Sequence, residues 1–287
     1  MVETPPQVLT MPESNIRLIA LDLDGTLLNT NKELSPRNAA ALERAAAQGV
    51  EIVPTTGRFF TGMPEVIQKL PYLHYAITIN GAQVYDIARD CAVARTEMPV
   101  DLALRIMEYL DRQPVVYDCY QENWGYMTRD FQLHIDDFTP DPHYREMVRR
   151  LRTPVPELKA WLKERNRGVQ KIQLFTPDPE LRKKLLKDLA EEFPEAAVTS
   201  SVPTNIEINA ADAHKGRALQ QLADYLGLDI SQTAAFGDGL NDVTMLRQAG
   251  LGVAMANAWP EALAAADVVT ASCDEDGVAR ELEKLGF

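Results

Sequence analysis

Positive charge is scarce in this 287-residue chain, where 29 Lys and Arg stand against 42 Asp and Glu for a formal net charge of −13. Non-specific nucleic-acid binding rests on clustered cations along phosphates, so no nucleic-acid partner is expected. Cysteine is scarcer still. Cys91, Cys119 and Cys273 are odd in number, far apart and in no CxxC pair, which argues against a disulfide framework or a thiolate metal site and makes a reducing cytoplasm the expected location. The histidines give no metal signature: His74, His134 and His143 are scattered, and no HExxH pair occurs. No apolar run approaches the ~18 residues of a membrane helix, so no membrane span is expected. The N-terminus lacks any Lys or Arg before Arg17 and with it a signal peptide's basic region, and residues 1–15 read as a short disordered tail. Collagen-like, coiled-coil and disordered classes are excluded by 46% hydrophobic and 25% charged residues.

What remains is a globular chain long enough for two domains, or for one domain with a large insertion. From Ile16 short apolar runs alternate with amphipathic stretches, the pattern of strand and helix units building a parallel sheet. IRLIALDLD reads as a strand buried on both faces. SPRNAAALERAAAQG reads as a helix with Ser35 as N-cap and Pro36 at its first position. VEIVPTTGR is the next strand and loop, and YAITINGAQVYD turns at Asn80-Gly81 into a hairpin. From about Asp86 to Pro203 the texture changes to hairpin-like runs (VVYDCY, WGYMT) among charged helices, predicting a separate α+β module. The first texture returns with TNIEINAADAHKG. The expected architecture is therefore a doubly wound, Rossmann-like α/β core of residues 16–85 and 204–287, with an α+β cap of residues 86–203 inserted between.

Two acidic constellations sit where apolar strands stop. In Asp22-Leu23-Asp24-Gly25-Thr26 the aspartates are two apart, hence on one side of an extended chain, and ligands of open parallel sheets bind beyond the carboxyl ends of the strands. Close carboxylates need a cation between them or a raised pKa on one. A solvated Asp-Gly turn is the alternative. Phe236-Gly237-Asp238-Gly239-Leu240-Asn241-Asp242 follows the strand TAAF, and Asp238 and Asp242 meet if a helix begins between them. Oxygen ligands of this kind suit Mg²⁺, while helix capping by acids is the other reading. Thr56-Gly57-Arg58 offers a hydroxyl beside a glycine N–H, a compact anion seat. Lys215-Gly216 offers the local cation that a phosphate site needs in so acidic a chain. Each of these pairs alone also reads as a turn.

Taken in order, DLDGT, TTGR, the Lys215 of HKG and GDGLND resemble the four motifs of the haloacid dehalogenase-like hydrolase superfamily. Asn80-Gly81, the long insertion and the tail VAMANAWPEALAAADVVTASCDEDGVA look like its Cof-type branch of sugar-phosphate phosphatases. The resemblance implies a Mg²⁺-dependent phosphatase acting on a small phosphorylated metabolite such as a sugar phosphate, nucleotide or phosphorylated cofactor. It implies Asp22 as the nucleophile that becomes an aspartyl-phosphate, and Asp24 as general acid and then general base. Leu23 (through its backbone), Thr56, Gly57, Lys215 and Asn241 would hold phosphoryl oxygens. Asp22, the backbone carbonyl of Asp24, and Asp238 would bind Mg²⁺, with Asp242 a ligand or just behind one. His214 departs from the branch's small or Ser residue before the lysine, and either touches substrate or is a satisfied surface histidine.

Other readings stay open. A phosphoryl-transferring mutase on the same scaffold would need a second phosphate site, for which Arg149, Arg150 and Arg152 are candidates unless they are a solvated face. A non-catalytic binding module would be favoured by a missing catalytic acid. In the cap, Tyr117, Tyr120, Trp124 and Tyr126 either contact the substrate or form core and hairpin pairs. Trp124, Tyr126 and Arg149 are expected to be exposed and to set substrate preference.

Overall fold

The computed structural model describes residues 15–287; the expected tail, apart from Asn15, lies outside them. Its strands, in chain order, are β1 (Leu18–Leu21), β2 (Glu51–Pro54), β3 (Tyr75–Thr78), β4 (Gln83–Asp86), β5 (Cys91–Arg95), β6 (Val116–Gln121), β7 (Trp124–Thr128) and β8 (Arg152–Val155). Then follow β9 (Lys171–Phe175), β10 (Ala196–Thr199), β11 (Asn205–Ala210), β12 (Thr233–Gly237), β13 (Leu251–Ala254) and β14 (Val268–Val269). The core sheet runs β14-β13-β12-β1-β2, parallel throughout. A bridge between Thr55 and Ile77 extends it to the antiparallel β3-β4-β5 ladder.

β1 explains why this sheet is covered on both faces. Its four apolar residues are fully buried, and because strand side chains alternate they feed two cores. Ile19 and Leu21 pack with Ala41, Leu42, Val278 and Leu282 of the helices Pro36–Ala47 and Gly277–Lys284. Leu18 and Ala20 pack with Leu219, Leu222 and Met245 of the helices Lys215–Leu226 and Val243–Gln248. This is the doubly wound α/β core expected from the sequence. Ser35 caps the first helix through its side chain, accepting from the Asn38 N–H.

The cap is a six-stranded sheet, β10-β11-β9-β6-β7-β8, antiparallel except for β7 with β8. One face packs through Cys119, Ile172, Leu174, Ile206 and Ile208 on Ile106, Leu162, Leu185 and Leu189 of its helices. Strand alternation sends Tyr120, Lys171, Gln173, Asn205 and Glu207 to the opposite face, toward the core.

Sheet pairing moves both expected domain boundaries. β5 pairs with β4 on the core side, so the cap begins after Arg95, not at 86. β11 pairs with β9 and β10 in the cap sheet, so the chain returns to the core after Ala210, not at 204. The reason is physical: β11 is buried along most of its length like a core strand, and burial pattern does not reveal which sheet supplies the partners.

Candidate active site

Register brings three strand ends to one level. Leu21, the last residue of β1, lies opposite Phe236 of β12 and Pro54 of β2. The Asp22 N–H then donates to the Phe236 carbonyl at 3.0 Å and the Thr55 N–H to the Leu21 carbonyl at 2.7 Å. Beyond this edge β1 leads to one side of the sheet and β12 to the other, leaving the crevice in which open α/β sheets bind ligands.

Asp22, Asp24, Thr56, Gly57, Asp238, Asn241 and Asp242 line a single cavity of about 60 Å³ closed by the cap. Leu23 differs: its side chain is buried in the core beneath, so it offers the cavity only backbone. Lys215 is fully buried behind the wall, 2.6 Å from an oxygen of Asp22 and 2.6 Å from Asp242 Oδ1. The other oxygen of Asp242 accepts the N–H groups of Asp238 and Gly239 at 2.9 and 2.8 Å, so it shapes the loop as well as pairing the lysine. Thr26 donates to Asp238 Oδ1 at 2.8 Å. Between them Gly25 has φ +91°, and a Cβ there would lie 2.5 Å from Asp238 Oδ2, so only glycine lets the two acidic loops approach.

One carboxylate oxygen from each of Asp22, Asp238 and Asp242 falls within 4.8 Å of the others. Burial, with Asp242 and Asp238 nearby, pushes the Asp22 carboxyl well above its ordinary value despite Lys215. Burial and Asp242 push Asp238 up to about 7. Lys215 is held above its ordinary value because Asp22 and Asp242 outweigh the burial that opposes its charge. Three acids thus face one ammonium, a donor set suited to a hard cation.

Asp24 is turned the other way. Arg58 Nη2 lies 2.8 Å from its Oδ2 and Lys32 Nζ 3.0 Å from its Oδ1. Burial alone would raise this carboxyl, but the two cations hold it below its ordinary value. Neither Arg58 nor Lys32 was singled out in the sequence as a partner of the DxD pair, although Arg58 belongs to the TTGR run.

His214 is the N-cap of Lys215–Leu226, its Nδ1 accepting the Arg217 N–H at 3.1 Å. Burial lowers its basicity, which suits an imidazole that accepts.

Of the four cap aromatics named from the sequence, Tyr120 reaches the cavity and Tyr117, Trp124 and Tyr126 do not. Tyr120, Tyr144, Lys171, Gln173, Ser200, Asn205 and Glu207 line it. Tyr117 is buried against Phe131 and bonds Asp111. Tyr126 packs on Trp161 and Trp124 on Phe59, and the Trp124 indole N–H donates to the Thr153 hydroxyl. Arg149 pairs with exposed Asp136, and Arg152 is buried on Asp118. Trp124, Tyr126 and Arg149 are therefore not cavity residues, contrary to the expectation that places them against the substrate. One signal could have found the true set: strand alternation in KIQLF and NIEIN puts the polar residues together on one face. Among the described residues, no helix is long and apolar enough to cross a membrane.

The model of the haloacid dehalogenase-like hydrolase family matches residues 19–282. The 5-amino-6-(5-phospho-D-ribitylamino)uracil phosphatase YcsE of Bacillus subtilis (strain 168) is 31% identical over 272 residues, covering 93% of this chain and 95% of that protein. The phosphatase YwpJ of the same organism is 30% identical over 294 residues, covering 94% and 100%. A solved haloacid dehalogenase-like hydrolase from B. subtilis superposes with a TM-score of 0.78 at 28% identity, over 93% of this chain and 99% of that one. With strand-end motifs gathered on one crevice and full-length phosphatase relatives, the chain belongs to the haloacid dehalogenase-like hydrolase family and is a phosphoric monoester hydrolase.

Proposed function

We propose that the chain hydrolyses small phosphate monoesters with Mg²⁺, through an aspartyl-phosphate on Asp22. The observation that carries this reading is the charge imbalance at the strand ends, where Asp22, Asp238 and Asp242 face the single ammonium of Lys215. Such a set is stabilised by adding one hard cation, which cancels the surplus of two negative charges, so that an entering phosphoryl group meets the cation in place of unbalanced carboxylates. Asp22, Asp238 and the Asp24 carbonyl would hold Mg²⁺, with Asp242 beside them. Bound there, Mg²⁺ supplies Lewis-acid neutralisation of the transferring phosphoryl oxygens.

The chain's own residues divide the remaining work. Asp22 attacks phosphorus, which splits one hard displacement into two easier ones. The Thr56 hydroxyl, the backbone of Gly57 and Leu23, the Asn241 amide and Lys215 hold the phosphoryl oxygens. Asp24 donates a proton to the leaving alkoxide, then takes one from the water that hydrolyses the acyl-phosphate. Held by Arg58 and Lys32 it is ionised, as the base of the second step requires. To act as the acid of the first step it must loosen one of those contacts and take up a proton.

The substrate is read from size and from relatives. A cavity of about 60 Å³ takes little beyond the phosphoryl group, and a chamber of about 600 Å³ sharing Arg58 and Met147 has room for an organic leaving group. The relative named for 5-amino-6-(5-phospho-D-ribitylamino)uracil acts on a phosphorylated metabolite of this scale. Arg149 and Arg152 are each occupied by an aspartate, so of the three arginines considered for a mutase's second phosphate it is Arg150, which lines the larger chamber, that is placed to meet one. Phosphate release from a panel of metabolite esters tests the proposal. Release that needs Mg²⁺, stops in chelator and is lost in Asp22→Asn is expected; full activity in chelator or in Asp22→Asn overturns it.

A further inference from the structure

Lys171 and Glu207 stand on adjacent strands of the cap sheet, both buried to within a few per cent of complete. A charged pair this deep is worth little to stability over an apolar pair of similar size, so its contacts across the domain boundary call for a reason. Lys171 Nζ donates to Glu207 Oε1 at 2.6 Å and, leaving the cap, to the Gly57 carbonyl at 2.7 Å. The other Glu207 oxygen accepts from Asn80 Nδ2 at 3.0 Å. Asn80 Oδ1 in turn accepts from Asn241 Nδ2 at 3.1 Å.

These bonds form one relay from the cap to two of the groups assigned to phosphoryl oxygens. The packing around Gly57 agrees, because a Cβ there would lie 2.9 Å from Asn80 Oδ1 and 3.2 Å from Glu207 Oε1. Asn80 is held in the left-handed region, φ 58°, at the tip of the β3-β4 turn. Asn209 of β11 secures that turn from the cap side by donating to the Ile79 carbonyl at 3.2 Å.

We propose that Glu207 and Lys171 are positioning residues, which orient Asn241 and the Gly57 loop when the cap is docked. The cap then contributes to every turnover, not to selectivity alone. This rests on the hydrolytic reading above, in which Gly57 and Asn241 hold the phosphoryl group.

The test uses the full chain with Mg²⁺ and the variants Glu207→Gln, Lys171→Met, Lys171→Arg and Asn80→Gly. Glycine at 80 tolerates the left-handed backbone and removes only the amide, so this variant tests the relay with the cap pair intact. For each, kcat/KM is measured on p-nitrophenyl phosphate and on the best metabolite ester, with the inhibition constant of inorganic phosphate and the thermal midpoint. Small misplacements of positioning groups cost up to ~100-fold, so Glu207→Gln, Lys171→Met and Asn80→Gly are expected to lose about 10- to 100-fold on both esters alike. Phosphate inhibition should weaken with them, and Lys171→Arg should retain more than Lys171→Met.

A lowered midpoint with unchanged phosphate inhibition and unchanged aryl phosphate hydrolysis would make the pair purely structural and overturn the proposal. A loss confined to the metabolite ester would overturn it too, by making the pair a leaving-group contact. Asp22→Asn separates the two readings. Phosphate release surviving in Asp22→Asn overturns the hydrolytic reading, whereas an inactive Asp22→Asn beside a normal Asn80→Gly overturns the relay alone.

Discussion

Two lysines are fully buried beside the same cavity, and they keep different company. Lys171, in the cap, faces one glutamate and a carbonyl, a neutral set whose charges are matched within the protein. Lys215, in the core, bonds Asp22 and Asp242 with Asp238 close by, a set two negative charges in surplus. A matched pair is complete as it stands. A surplus is relieved only by something that arrives, whether a cation, a proton or both. The difference separates the half of the cavity that holds geometry from the half built to take up charge.

The largest effect should come from the surplus. Asp22→Asn is expected to lower turnover on the order of 10⁴-fold or more, as loss of a nucleophile does. In chelator it should nonetheless raise the thermal midpoint, because it removes one of three crowded negative charges. Glu207→Gln should lower the midpoint by unbalancing a matched pair. pH sharpens the contrast. Asp238 binds its proton more tightly folded than unfolded, so the metal-free protein loses stability as pH rises between the ordinary aspartate value of 3.8 and about 7, and the raised Asp22 carboxyl adds a loss of the same sign. Glu207 is held low: burial opposes its charge, but Lys171 and Asn80 outweigh it. Its contribution persists across that window above the ordinary glutamate range and is lost only as acid takes the pH through its lowered folded value. Midpoints that move together in both variants would erase the distinction.

Next in size is Asp24, which sits in the core but is outnumbered the other way, one carboxylate between the two cations Arg58 and Lys32. Asp24→Asn should cost about 10²–10⁴-fold on a sugar phosphate, and less in phosphoenzyme formation from an activated aryl ester that needs little protonation. Arg58→Met should raise the Asp24 carboxyl and carry the alkaline limb of the first step to higher pH. Equal losses on both esters in single turnover would remove Asp24 from the acid's role.

Lys215→Met comes third, with about 10²–10³-fold lost from all substrates alike, the usual cost of one electrostatic contact to a developing charge. The double variant Lys171→Met/Glu207→Leu should recover most of the stability lost in Lys171→Met, since removing both partners of a matched pair leaves no buried charge behind. No single second change should rescue Lys215→Met in the same way, because two carboxylates would remain. Thermal midpoints of the four proteins measure this directly.

The same contrast decided how much was legible in the sequence. The core half could be read because a strand that stops is followed within five residues by its chemistry, as in DLDGT and GDGLND. The cap half supplies one or two residues per strand from β6, β9 and β11, which are remote in sequence and adjacent only through pairing. Tyr117 and Tyr120 show the difficulty. Three residues apart on one strand they face opposite ways, Tyr117 into the cap core and Tyr120 onto the cavity. The boundaries at 86 and 204 failed for a related reason, since β5 and β11 reveal their sheets only by their hydrogen bonds. Arg58 is not legible as a partner of Asp24 because it comes from another segment of the core, and Lys32, only eight residues from Asp24, because it reaches back through an irregular loop in which it takes a left-handed φ of 64°.

The smallest effect should fall on Arg149, and it tests whether matching or burial gives an ion pair its importance. Arg149 and Asp136 are paired as Lys171 and Glu207 are, but their side chains are 42% and 48% exposed. Water at such a site already solvates both charges, so forming the pair gains little Coulomb energy and immobilises two long side chains; exposed pairs contribute about 0.2–1 kcal/mol. Three residues on, Arg152 forms the same kind of pair with Asp118 at 1% and 0% exposure. Arg152→Met would strand a buried carboxylate, at a cost of about 3–5 kcal/mol. Arg149→Ala should therefore stay within about 1 kcal/mol of the parent in denaturant unfolding and leave the order of substrate preference unchanged. If Arg149→Ala destabilised the protein as much as Arg152→Met, matching alone would govern these pairs, and burial could not be what sets Lys171 and Lys215 apart from the surface.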